Sequence, residues 1–281
     1  MAALKGFRSA VDIQAKRNFR LVLEYDGTHY HGWQRQHGVL TVQETVESRL
    51  EIMLGMPVKV RASGRTDAGV HARAQQVNFY VRTRLQPVEI QRGLNALLPD
   101  DIAILAATEV DDSFHARFSA WSKIYEYRIL NRPVRSALER HHTWHIRRPL
   151  ALEPMNECLR MIQGEHDFAA FMASGSKARS TVRRLYRAEL RVPDAEHLLF
   201  VFEGNGFLRQ MVRNLVGTIV EVGRVRLSPE DFRRILLSRD RRQAGATAPA
   251  RGLCLVRVVY RDPPATGGSS ELQMRSDTVS T

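Results

Sequence analysis

Apolar and polar positions alternate near the start of the chain. Phe19, Leu21, Leu23 and Tyr25 fall on one face, and this period of two predicts a half-buried strand. Asp26-Gly27 ends it in a turn. From Thr41 the period changes: Val42, Val46, Leu50 and Met53 form a stripe at helical spacing. Thr41 and Glu44 make a capping box at its start, and Gly55 and Pro57 close it. Short strands are predicted over residues 58–62 and 77–81, a helix over 87–98 and a strand over 102–107. An aromatic-rich strand follows over 123–130, then a helix over 152–162 ended by Gly164. Residues 182–192 and 198–203 read as an antiparallel pair joined through Pro193-Asp194. A long helix is predicted over 207–222, with Leu208, Met211, Val212, Leu215, Ile219 and Val222 as its apolar positions. Ser228-Pro229-Glu230-Asp231 opens another helix, with a cap, a proline at the first helical position and acids in the first turn. Residues 253–260 form the last strand.

The two halves mix strands and helices in similar order. The expected class is α+β: two similar mixed α/β lobes, residues 18–120 and 121–261, with largely antiparallel sheets flanked by helices. Residues 1–17 read as a basic tail with no apolar core of the secretory kind, and residues 262–281 as a disordered tail.

Composition sharpens this picture. Hydrophobic residues make up 43% and charged residues 26%, a globular balance, and no run approaches the roughly 20 apolar residues of a membrane span. The net charge is +12, carried by 37 Arg and 5 Lys. A coding bias exchanges Lys for Arg but creates no net charge, so the excess points to a polyanionic partner, nucleic acid first. Cys158 and Cys254 sit in apolar runs without a Cys-x-x-Cys pair, which predicts buried free thiols in a cytoplasmic protein rather than a zinc site. His141, His142 and His145 lack a carboxylate at ligand spacing, so no metal is expected there.

The most unusual stretch is Gly64-Arg65-Thr66-Asp67-Ala68-Gly69-Val70-His71-Ala72, predicted to be a loop between strands. Its glycines permit backbone geometry that other residues resist. Arg65 stands two positions from Asp67, close enough to pair with it and favour the ionised carboxylate. Spacing alone leaves two readings open: a nucleophilic or basic aspartate on a rigid loop, or an Asx turn with a surface ion pair. Arg209 and Arg213 lie four apart on the predicted helix and share a face, free to meet a phosphate or, for Arg213, Asp67.

All nine residues of this loop match the signature of the tRNA pseudouridine synthase A family, which the chain resembles in five further blocks. Tyr25-Asp26-Gly27-Thr28 with His31-Gly32-Trp33-Gln34 is similar to that family's first motif. The run from Phe114 to Ala120 with Lys123-Ile124-Tyr125-Glu126-Tyr127 resembles its central motif. Gly164-Glu165-His166-Asp167-Phe168, Met211-Val212-Arg213-Asn214-Leu215-Val216-Gly217 and Ala248-Pro249-Ala250-Arg251-Gly252-Leu253 follow in order. The resemblance implies a pseudouridine synthase fold with a central basic cleft and a homodimer. It implies a cofactor-free isomerisation of uridine to pseudouridine in the tRNA anticodon stem-loop, at tRNA positions 38, 39 and 40. Asp67 then maps onto the catalytic aspartate, Tyr125 onto an active-site tyrosine, and Arg65 and Arg213 onto substrate-binding positions. Two other function classes compete: an RNA-binding protein without activity, and a hydrolase or phosphotransferase using Asp67. The latter would need a second acid or a metal set, for which the sequence offers no candidates.

Overall fold

The computed structural model describes residues 15–176 and 178–261. Most of the basic N-terminal tail and all of the tail from residue 262 lie outside the described residues. The first half contains β1 (Arg17–Tyr25), α1 (Val42–Leu54), β2 (Arg61–Ala62), β3 (His71–Val81), α2 (Pro87–Leu97) and β4 (Ile102–Val110). The second contains β5 (Ala120–Asn131), β6 (Trp144–Ile146), α3 (Leu152–Met161), β7 (Gly164–Asp167), β8 (Val182–Arg191), β9 (His197–Gly204), α4 (Met211–Gly223), α5 (Pro229–Ser238) and β10 (Leu253–Tyr260).

Among the described residues, all ten strands join in one sheet, ordered β4-β1-β3-β10-β5-β9-β8-β7, with β2 on β3 and β6 on β5. Each half repeats one pairing pattern: its first strand is flanked by its last strand and by a middle strand, both antiparallel. The halves meet where β10 runs parallel to β3, pairing Cys254 with His71 and Leu255 with Ala72. The expected lobes are therefore two repeats sharing a single sheet.

Local chemistry explains the elements. Phe19, Leu21, Leu23 and Tyr25 are all buried, as period two demands. The Thr41 hydroxyl accepts from the Glu44 N–H, and Gly55 ends α1 in the left-handed region at φ 68°. Ser228 and Asp231 cap α5 reciprocally. One apolar core continues from Phe19, Leu21 and Leu50 to Phe200, Leu215 and Phe232.

Three expectations change. The helix predicted from Phe207 begins only at Met211, because Gln210 adopts φ 59°, so Arg209 precedes the helix and does not share a helical face with Arg213. The strand expected over 77–81 starts at His71, since the polar Gln75 and Asn78 within it are buried and hydrogen-bonded. The segment Gly164–Asp167, where no strand was expected, forms the edge strand β7.

α4 packs closely on the segment leading to β10. A Cβ on Gly217 would stand 1.9 Å from the Ala246 carbonyl oxygen. In an open helix, Gly→Ala gains about 1 kcal/mol. Here the close approach reverses the sign, and Gly217→Ala should lose about 1–3 kcal/mol. Thermal unfolding reads this as a lower midpoint; a raised midpoint would refute the tight packing.

Candidate active site

The loop between β2 and β3 is shaped by the turn that follows β1. The Tyr25 hydroxyl lies 2.8 Å from the Thr66 hydroxyl, and the Trp33 N–H donates to the Thr66 carbonyl at 3.0 Å. Gly69 N–H donates to the Tyr30 carbonyl at 3.2 Å. Two glycines allow the approach: a Cβ on Gly27 would meet the Val70 carbonyl oxygen at 2.1 Å, and one on Gly32 the Thr66 carbonyl oxygen at 2.6 Å. From inside, the Gln75 amide donates to the Gly64 carbonyl while its oxygen accepts from the Ser63 hydroxyl. The loop is thus held on both sides by buried hydrogen bonds.

Asp67 emerges from this mould with its side chain 25% exposed. Arg213, on the first turn of α4, places Nη1 3.3 Å from its Oδ2. The same guanidinium donates from Nε to the Ala248 carbonyl at 2.8 Å, and the Ala248 N–H donates back to the Arg213 carbonyl. Gly69 also approaches this segment, since a Cβ there would lie 3.2 Å from the Ala250 Cβ. The Tyr127 hydroxyl donates to the Pro249 carbonyl at 2.8 Å, so this fully buried ring braces the segment from β5.

Tyr125 lies two residues before Tyr127 on the same face of β5 and feels the charge of Asp67. Its ring meets Phe207 edge to face at 5.0 Å. Its hydroxyl has no hydrogen-bond partner among the described residues. Burial, with Tyr25 and Asp67 nearby, raises its pKa above the ordinary phenol value, so it remains a phenol at neutral pH.

Arg65 is exposed, and among the described residues it forms no ion pair with Asp67. The carboxylate's partner is Arg213, which sits 146 positions away in sequence. Successive side chains of an irregular loop diverge, so nearness along the chain does not bring Arg65 onto Asp67.

Residues 21–119 and 159–261 match the family model of tRNA pseudouridine synthase. The chain belongs to that family. It is 48% identical to "tRNA pseudouridine synthase A" of Syntrophotalea carbinolica over 86% of this chain and 95% of that one. It is 47% identical to the protein of the same name from Geobacter sulfurreducens, and 43% to that from Thermoanaerobacter sp., each over 87% of this chain and all of the relative. Among solved structures, the chain is similar to one in a Cbf5-Nop10-Gar1 complex at 13% identity, with TM-score 0.37 over 84% of this chain and 48% of that one. That likeness is too slight to carry an argument.

Among the other titratable groups, the burial expected of both cysteines is complete at only one of them, and one cluster is new. Cys158 is buried and Cys254 half-buried, and burial pushes their thiols up to about 12 and about 11. Asp26, His71 and His142 bring potential ligand atoms within 4.8 Å of one another, a cluster the sequence did not reveal because His142 comes from a distant turn. Both His71 nitrogens already have backbone partners: Nδ1 accepts from Gly27 N–H at 3.1 Å and Nε2 faces the His141 carbonyl at 2.9 Å. The cluster therefore reads as a clasp between the β1 turn, the start of β3 and the turn carrying His142. A cavity of about 420 Å³ opens beside it, bordered by Asp26, His71, Arg128 and Arg251 but not by Asp67.

Burial holds the His71 imidazole below its ordinary value of 6.5, against the opposing pull of Asp26. A base whose pKa falls on folding is protonated more readily in the unfolded chain, so its contribution to stability is intact above about pH 6.5 and is lost as pH falls. The stability advantage of the wild type over His71→Asn should therefore be largest near pH 7.5 and shrink towards pH 5. Chemical denaturation across that range measures it; an advantage that grows on acidification would contradict the neutral clasp.

Proposed function

We propose that this chain isomerises uridine to pseudouridine in tRNA, with Asp67 as the catalytic carboxylate, on the 3′ side of the anticodon stem-loop. The observation that carries the reading is Asp67 itself. It is a quarter exposed in a loop made rigid by hydrogen bonds, is held by Arg213, and lies near enough to Tyr125 for its charge to act on the phenol.

The reaction breaks the bond between C1′ and N1, turns the base and forms a bond from C1′ to C5. The proton on C5 must then leave, and N1 must gain one. A carboxylate serves this as a nucleophile at C1′, or as a base that opens a route through a glycal; both begin with Asp67 beside the sugar. Arg213 orients the carboxylate through a contact that leaves the other oxygen available. The target nucleotide must leave its stack, at a cost of a few kcal/mol. The Tyr125 ring offsets that by offering a face worth about 1–3 kcal/mol. As a phenol, Tyr125 contributes this surface and a hydrogen-bonding hydroxyl, not a phenolate base. Exposed Arg65 and Arg209 serve as phosphate contacts, in keeping with the net charge of +12. The same reading has the enzyme acting without a cofactor, as a homodimer, in the cytoplasm. Among the described residues, no helix is long and apolar enough to cross a membrane.

Asp67→Asn keeps the shape of the side chain and removes its charge. Pseudouridine formation in transcribed tRNA should disappear, while tRNA affinity stays within a few-fold of wild type and still falls steeply with salt. Turnover by this variant would sink the mechanism. A wild type that binds tRNA but forms no pseudouridine would leave only an RNA-binding protein.

A further inference from the structure

Lys123 is one of only five lysines in a chain with 37 arginines. It lies on β5 two residues before Tyr125, so both side chains point to the same face. Two residues of strand separate them by about 6.6–6.8 Å. The lysine stem lies along the head of the Asp67 loop: a Cβ on Gly64 would stand 3.3 Å from Nζ and 3.5 Å from Cε. Its partner on β9 is Gly204, which sets no side chain beside it, and its partner on β10 is the apolar Val258.

The ammonium is largely buried, and among the described residues it has neither a carboxylate nor a hydrogen-bond acceptor. Its charged neighbours are Arg117, from the segment before β5, and Arg183 of β8, both of its own sign. Arg183 gives its own hydrogen bonds to the backbone carbonyls of Ser180 and Val182, and among the described residues Arg117 has no carboxylate partner. The segment carrying Arg117 is fixed to the sheet, since the Ala116 N–H donates to Asn78 Oδ1 and the Ala116 carbonyl accepts from the Tyr260 hydroxyl. Burial first, then Arg117 and Arg183, bring the lysine down to about 8. An unpaired, desolvated ammonium beside two guanidiniums costs stability in the free protein. That cost is recovered if an anion enters with the substrate.

We propose that Lys123, flanked by Arg117 and Arg183, is a phosphodiester-binding subsite that takes the backbone phosphate of the nucleotide whose base lies against Tyr125. The proposal rests on the function proposed above. The separation of Lys123 from Tyr125 is the scale of one nucleotide from base to phosphate, so the pair grips a single flipped residue at both ends. A lysine suits the place, being a compact point charge on a flexible stem.

The test uses the full-length protein, transcribed tRNA and the variants Lys123→Met and Lys123→Arg. Lys123→Met removes the buried charge while keeping the apolar stem. It should raise the thermal midpoint of the free protein and lower kcat/KM for pseudouridine formation roughly tenfold or more. The slope of log affinity against log salt should become shallower by about 0.7–0.9, the share of one phosphate. Lys123→Arg should restore that slope. A methionine variant with wild-type slope and wild-type kcat/KM overturns the proposal. So does one whose midpoint falls, because the lysine would then be a structural support. If the wild type itself forms no pseudouridine, the functional reading fails instead; the salt slopes of the three proteins still report whether Lys123 meets a phosphate.

Discussion

The contact between Asp67 and Arg213 ties the two halves of the molecule at the point where chemistry is expected. Asp67 belongs to a loop of the first half and Arg213 to a helix of the second. Neither half can fix the carboxylate alone. The sheet must be continuous through β10, and α4 must sit close against the segment before that strand, for the guanidinium to arrive. Arg213 is also only 14% exposed and bonds the Ala248 carbonyl, so it is held independently of the carboxylate. A partner already locked by packing orients a reacting group more firmly than a long surface side chain could.

This dependence explains why motifs far apart in sequence belong together. The tyrosine and glycines of the first block shape the Asp67 loop by hydrogen bonding and by the absence of side chains. The helix block supplies Arg213, and the last block supplies the carbonyl that holds it. Tyr125 and Tyr127 divide the work of the central block. Tyr125 lies within reach of the Asp67 charge and packs on Phe207, while Tyr127 is fully buried and braces Pro249. Their shared face on β5 made them indistinguishable by periodicity; only the segment packed over Tyr127 separates their roles.

Strongly periodic elements were legible from the sequence. The strand at Phe19, the capped helices at Thr41 and Ser228 and the final strand all stand where their patterns placed them, because local chemistry and tertiary burial agree there. Legibility failed where they disagree. Phe207 and Leu208 continue the apolar spacing of α4, but Phe207 turns to Tyr125 and the chain passes through a left-handed Gln210 before the helix starts. The first part of β3 is polar enough to read as loop, since its burial rests on hydrogen bonds made by Gln75 and Asn78 rather than on apolar surface. In the candidate site, the sequence nominated Asp67 and Tyr125, but the assignment of Arg65 as the partner of Asp67 followed nearness along the chain. A contact spanning 146 positions leaves no trace in local spacing.

The distribution of positive charge follows from the same architecture. Away from the loop, many arginines are neutralised by carboxylates: Arg17 by Glu109, Arg132 by Glu196, Arg242 by Asp240. Around it, among the described residues, Arg65, Arg117, Lys123 and Arg183 have no such partner. Burial even holds the Arg183 guanidinium below its ordinary value. Pairing each of these with an acid would stabilise the free protein, but it would also cancel the field that draws in a polyanion. The carboxylate that is tolerated there, Asp67, is clamped by Arg213, so the pair adds no net charge to the surface an incoming nucleic acid meets. An anion can therefore sit in a basic site without repelling a polyanion, provided that its neutralising cation is part of the fold rather than part of the binding surface.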